Sequence, residues 1–170
     1  MKREEISREA ATPSVREHKE HGLHVDSRLL REIDQPGQVA LLILETENEF
    51  LDLVWQAVPA TRPLTPQGHP RSLRDCASRL ASVGWSFEAL VEAGYPWFQT
   101  CNIIDRAFDI DKVGCVAVTP LVATEAQDTP HGTYYVYDGV HKSIVLAKRL
   151  LRREVQYAPM KALLLEPRRH

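Results

Sequence analysis

Residues 132–153 read GTYYVYDGVHKSIVLAKRLLRR, and the break between their two halves decides how the chain folds. Residues 133–137 are β-branched and aromatic, the composition of a strand. From there apolar side chains recur at Val140, Ile144, Ala147 and Leu151, which is helical spacing. Asp138-Gly139 sits between and reads as a tight turn. A strand entering a helix this way turns the unsatisfied N–H groups of the first helical turn into a small concavity. Those groups and the helix dipole attract anions, phosphate above all.

The residues of that turn carry matching side chains. Gly139, His141, Lys142 and Ser143 are the candidate phosphate-binding residues. His141 and Lys142 offer a donor and a charge in the first turn, Gly139 its backbone N–H. Asp138 beside a phosphate is repulsive unless a divalent cation lies between them, so a functional Asp138 is a metal ligand and implies Mg²⁺. The plainer alternative is a strand, a turn and a surface helix in which Asp138 is only the N-cap.

A strand, then D-G-x-H-R, then a helix resembles the ParB/sulfiredoxin superfamily. Asp138, Gly139 and His141 match that motif, and Lys142 stands where Arg is usual. Residues 134–137 (YYVY) look like the strand before the motif, 157–165 (YAPMKALLL) like the strand after its helix, and 116–123 (VAVTPLVA) like the upstream "PI-V" strand. The resemblance implies an α+β domain with a small mixed sheet packed by helices over residues 63–170. It also implies binding of a nucleotide, ATP or CTP, or of DNA through the start of the motif helix. Catalytic members are hydrolases and nucleases, for which Asp138, His141 and Glu125 are the catalytic candidates here. The alternative on the same fold is a non-catalytic DNA-binding or protein-interaction factor, as in transfer inhibition, immunity or regulation. Lys142 favours that alternative, because Lys is a point charge and cannot grip phosphate as a fork. In sulfiredoxins a cysteine precedes the His; Val140 stands there instead, so sulfinic-acid reduction is not expected.

Charge is uneven along the chain. From Val140 onward eight Lys/Arg face two acidic residues, a net of +6 on a body that carries −8. Lys142, Arg149 and Arg153 fall on one helical stripe, along which a phosphate backbone could track; a solvated face is the alternative. Arg149 and Arg153 are therefore the candidate nucleic-acid contacts.

The remaining chain supplies the frame. Residues 1–22 are rich in charge and poor in apolar side chains, which predicts a flexible tail. His18, His21 and His24 near its end recur at a spacing that a metal could use on a helix, or belong to a solvated tail. Residues 23–62 predict a βα unit. QVALLIL (38–44) is a buried strand, and Thr46-x-x-Glu49 has capping-box spacing ahead of Phe50, Leu53, Val54 and Ala57 on one helical face. Trp55 reads as packing. After a proline-rich loop over 60–70, residues 72–83 predict a helix ended by Gly84 and residues 86–93 a second one stopped at Gly94. Residues 95–98, YPWF, form an aromatic knot, either a plug between elements or a base-stacking platform. Residues 108–113 alternate as an edge strand does. Cys76, Cys101 and Cys115 show no paired spacing, which suits reduced thiols in a cytoplasmic protein. No apolar run approaches a membrane span, so no membrane partner is expected.

Overall fold

A computed structural model describes residues 1–5, 38–55, 57–66, 71–110, 116–120 and 134–166. The fold is α+β. The strands are β1 (Lys2–Glu5), β2 (Gln38–Leu44), β3 (Val54–Trp55), β4 (Arg71–Ser72), β5 (Val116–Pro120), β6 (Tyr134–Asp138) and β7 (Met160–Glu166). They form one mixed sheet in the order β1-β2-β7-β5-β6-β3-β4. β5 runs parallel to β7 and antiparallel to β6, and β6 runs parallel to β3. The helices are α1 (Glu47–Leu51), α2 (Leu73–Ser78), α3 (Phe87–Glu92), α4 (Phe98–Arg106) and α5 (Val140–Leu151).

The QVALLIL run is the whole of β2, paired on one side to β1 and on the other to β7. Ala40, Leu42 and Leu44 are buried, while Leu41 and Ile43, on the other face, are half-buried. In β7, Ala162, Leu163 and Leu164 are all buried, so both faces of that strand are covered. The N-terminal βα unit does not pack on the sheet as a separate layer. β2 and β3 are strands of it, on opposite sides of the pair β5–β6.

Several local signals operate as their residue types dictate. Thr46 and Glu49 form the capping box, each side chain bonded to the other's backbone N–H at 3.3 and 3.2 Å. Ser72 and Ser86 cap α2 and α3 through Asp75 N–H and Ala89 N–H, both at 3.1 Å. The reading of 72–83 as one helix resolves into α2 followed by a 3₁₀ turn (Arg79–Val83), which ends at Gly84 with φ 63°.

Other expectations need correction. The helix that begins at Glu47 stops at Leu51, and Val54–Trp55 become a strand between β6 and β4. Two β-branched or aromatic residues gain more from the ladder than from another helical turn. The tail reading does not hold for Lys2–Glu5, which form the edge strand β1; their charges suit an exposed sheet edge. The rest of that tail, His18 and His21 included, lies outside the described residues, as does His24. Phe108, Asp109 and Ile110 are not in a strand, and residues 111–113 lie outside the described residues. Residues 98–106 form the further helix α4.

One hydrophobic core joins sheet and helices, with Trp55, Phe50, Phe87 and Phe98 its largest fully buried side chains. Each contributes about 1.5–3 kcal/mol by burial. α5 packs against both α2 and α4, and α3 packs against α4. Cys76 and Cys101 are buried free thiols; burial pushes the Cys76 pKa up to about 12 and raises that of Cys101 as well. No helix among the described residues is long and apolar enough to cross a membrane.

Candidate anion site at the start of the long helix

The strand-turn-helix at 134–151 is present as β6 and α5. Its turn differs from the simplest reading. Gly139 is the residue that caps α5, at φ 76° and ψ 19°, with no side chain bonded across the cap. That left-handed conformation is costly for any residue with a Cβ, which explains the glycine. Asp138 ends β6 instead of capping the helix. Its Oδ1 accepts the Gly139 N–H at 2.7 Å and so straps the turn. The Gly139 N–H is thereby engaged within the protein, which removes it from the phosphate-binding set.

α5 is 12 residues long, with no acidic residue in its first turn. The dipole's positive end is therefore uncompensated by the helix's own side chains. The first intrahelical bond runs from Ser143 N–H to Gly139 C=O at 2.8 Å. Ser143 is fully buried, and its hydroxyl donates to Val140 C=O at 2.8 Å. It belongs to the helix interior and not to a ligand surface.

His141 is held by an aromatic stack. Its ring lies on Trp97, centroids 4.1 Å apart and planes 25° apart. Trp97 in turn meets Trp55 edge-on at 5.5 Å and Phe98 at 5.1 Å. The aromatic knot is thus mainly the plug between elements, and its free-standing role as a base platform gives way to gripping His141. Burial lowers the His141 pKa from its ordinary 6.5, so the ring is neutral at pH 7 and presents one donor and one acceptor. Lys142 is partly buried; burial lowers its pKa, and the Asp138 carboxylate pulls the other way.

The stripe along α5 is not a free cationic face. Arg149 bonds the Asp105 carboxylate at 3.0 Å and the Asp105 carbonyl at 2.6 Å, reaches Glu154 at 3.2 Å, and lies over the Phe108 ring at 4.7 Å. Lys148, nearly buried, pairs with the same Asp105 carboxylate. Arg149 therefore fastens α5 to α4. Arg153 reaches Glu47 at 3.1 Å and has φ 59°. It occupies the left-handed position that ends α5: its N–H bonds Leu150 C=O at 3.0 Å, and the Glu154 N–H bonds Arg149 C=O at 2.9 Å. Both arginines thus have structural employment that sequence spacing alone does not reveal.

Glu125 lies outside the described residues. Among the described residues no group of three or more His, Cys, Asp or Glu side chains converges as a metal site. Asp138 alone, already bonded to Gly139, does not make one; Mg²⁺ there would draw most of its ligands from a bound phosphate and water. The structure adds two residues to the site, Trp55, whose pattern reads as packing, and Trp97 of the aromatic knot. Trp55 donates its indole N–H to Val140 C=O at 3.0 Å, and Trp97 carries His141. No family model, curated protein or solved structure matches this chain.

Proposed function

We propose that this protein binds a nucleotide by its phosphates at the start of α5, through His141 and Lys142, and holds it without turnover. The observation that carries this reading is the composition of the first turn of α5: no acid, one lysine, and a histidine fixed by stacking on Trp97. An anion there meets the helix dipole, a side-chain cation and a pre-oriented imidazole N–H together. The DGVHK resemblance points to the same turn. A small ligand is favoured over a nucleic-acid backbone because Arg149 and Arg153 pair with Asp105, Glu154 and Glu47. Binding is favoured over hydrolysis because Asp138 is spent on the Gly139 N–H and Lys142 lacks the arginine fork.

Thermal unfolding with and without ATP, CTP and Mg²⁺ tests it. A nucleotide at 100 times its dissociation constant adds about 2.7 kcal/mol to stability. An unchanged midpoint with every nucleotide, at millimolar concentration and low salt, rejects the reading. Phosphate release from either nucleotide rejects the claim that there is no turnover.

A further inference from the structure

Among the described residues β1 pairs with β2 alone and so forms one edge of the sheet. The other edge, β4, is only two residues long and offers little ladder to a further strand. β1 pairs with β2 over four residues, with Lys2 opposite Ile43, Arg3 opposite Leu42, Glu4 opposite Leu41 and Glu5 opposite Ala40. An edge strand directs a row of backbone N–H and C=O groups away from its neighbour, ready to pair with another strand. Lys2, Arg3 and Glu4 are exposed, so this edge is open to one.

The charges along the edge decide which strand it suits. Lys2 and Glu4 share the face of Leu41 and Ile43, and their side chains pair at 3.6 Å while staying 63% and 45% exposed. An edge of one charge repels its own copy, whereas an edge with both signs on one face complements that copy when it is reversed. A twofold axis normal to the sheet requires one residue of β1 to stand opposite its own copy. Centred on Arg3, the pairing sets Lys2 opposite the copy's Glu4, and Glu4 opposite the copy's Lys2. Centred on Lys2 or on Glu4, it sets that charge against itself and loses both Lys–Glu pairs. The Arg3 centre carries one like-charge contact, on the other face from the Lys–Glu pairs, which keeps the association weak.

We propose that β1 is a docking edge for a second copy of this chain. The two β1 strands pair antiparallel about a twofold axis at Arg3, so that Lys2 of each chain meets Glu4 of the other and the two sheets become one. The contact is small and polar, which makes the dimer transient and salt-sensitive. It lies at the opposite end of the strand order from β3 and β4 and does not depend on the reading given to the start of α5.

The test is sedimentation of the full chain, without an N-terminal tag, over a range of protein concentrations at low salt. The parent is expected to show a monomer–dimer equilibrium that weakens as salt rises. Lys2→Glu sets Glu against Glu in both cross-chain pairs, and Glu4→Lys sets Lys against Lys, so each variant alone self-associates about tenfold or more weakly than the parent. An equimolar mixture of the two variants restores the dimer, because each chain then offers the sign the other lacks. Arg3→Thr tightens the dimer of an otherwise unchanged chain by removing the one like-charge contact. Circular dichroism of each variant checks that the fold is kept, and the mixture supplies its own control, since misfolded chains do not recover by mixing. The proposal is overturned by a parent that stays monomeric up to about 1 mM. It is overturned equally by single variants that dimerise as the parent does, by a mixture that stays monomeric, or by weaker association in Arg3→Thr.

Discussion

Trp55 donates its indole N–H to the Val140 carbonyl oxygen at 3.0 Å, across 85 positions of the chain. A residue of the short strand β3, next to the sheet edge formed by β4, thereby sets the first residue of α5. The same indole meets Trp97 edge-on, and Trp97 carries the His141 ring. The candidate anion site is therefore positioned by the core and not by its own loop, which is the condition for a pre-organised site.

Trp55→Phe separates the anchor from the packing. The Val140 carbonyl keeps the Ser143 hydroxyl as a donor at 2.8 Å, so no orphan acceptor is left. The loss combines one net hydrogen bond with a smaller ring in a full core, about 1–3 kcal/mol in urea unfolding. Nucleotide affinity falls as well, because α5 loses its fixed start. An unchanged midpoint contradicts the anchoring role.

Asp105 is the counter-charge for Lys148, which is only 5% exposed, and for Arg149. Asp105→Asn leaves a nearly buried ammonium without a carboxylate and is expected to cost about 3–5 kcal/mol. Lys148→Met removes that ammonium while Asp105 keeps Arg149, so its cost is far smaller. Equilibrium unfolding of both variants decides the point; equal losses contradict the arrangement.

Arg153 stands at φ 59°, a conformation that glycine adopts without strain. Its pair with Glu47 is mostly solvated, the Arg153 side chain being 78% exposed, and is of little weight. Relief of the left-handed strain, less the extra backbone entropy of glycine, makes Arg153→Gly more stable by about 0.5–1 kcal/mol. A variant that unfolds earlier than the parent shows the Glu47 pair to outweigh the strain.

Burial lowers the His141 pKa from 6.5. The unfolded chain takes the proton at the ordinary pKa, the folded chain only at lower pH. Between the two the unfolded state binds more protons, so His141 makes stability fall as pH drops below about 6.5, until the folded pKa is passed. Above that range it contributes no pH dependence. His141→Phe keeps a ring on Trp97 and removes the titration, so its stability should decline less from about pH 7 to pH 5 than that of the parent. Parallel stability–pH curves for the two proteins are the contrary result.

Elements whose information is local were readable in the sequence. QVALLIL gives β2 residue for residue, Thr46 and Glu49 give the cap of α1, and the change of period at Asp138-Gly139 gives β6 and α5. What was not readable depends on distant partners. Val54 and Trp55 continue a helical pattern but are taken into the sheet by β6 and β4. α4 passed unseen because its aromatic start reads as a plug and its buried positions Phe98, Cys101 and Asn102 include a polar residue. The site was legible as a turn, but its partition was not. Asp138 as N-cap and Gly139 as N-cap differ by one residue, and the choice rests on a φ of 76° that no side chain announces. Arg149 looked like a free cation because Asp105 lies 44 positions away.

Calorimetric titration of the parent, His141→Ala, Lys142→Ala and Lys142→Arg with ATP and CTP in the presence of Mg²⁺ measures whether His141 and Lys142 hold nucleotide phosphates at the start of α5. Lys142→Ala is expected to change stability little, since a cation at a helix N-terminus opposes the dipole. Its nucleotide affinity should nevertheless fall about tenfold or more, and that of His141→Ala likewise, through lost charge-assisted and polar bonds. Lys142→Arg should bind as well as the parent or better, because it supplies a fork. Equal affinities in all four proteins, or no binding by the parent, contradict the claim.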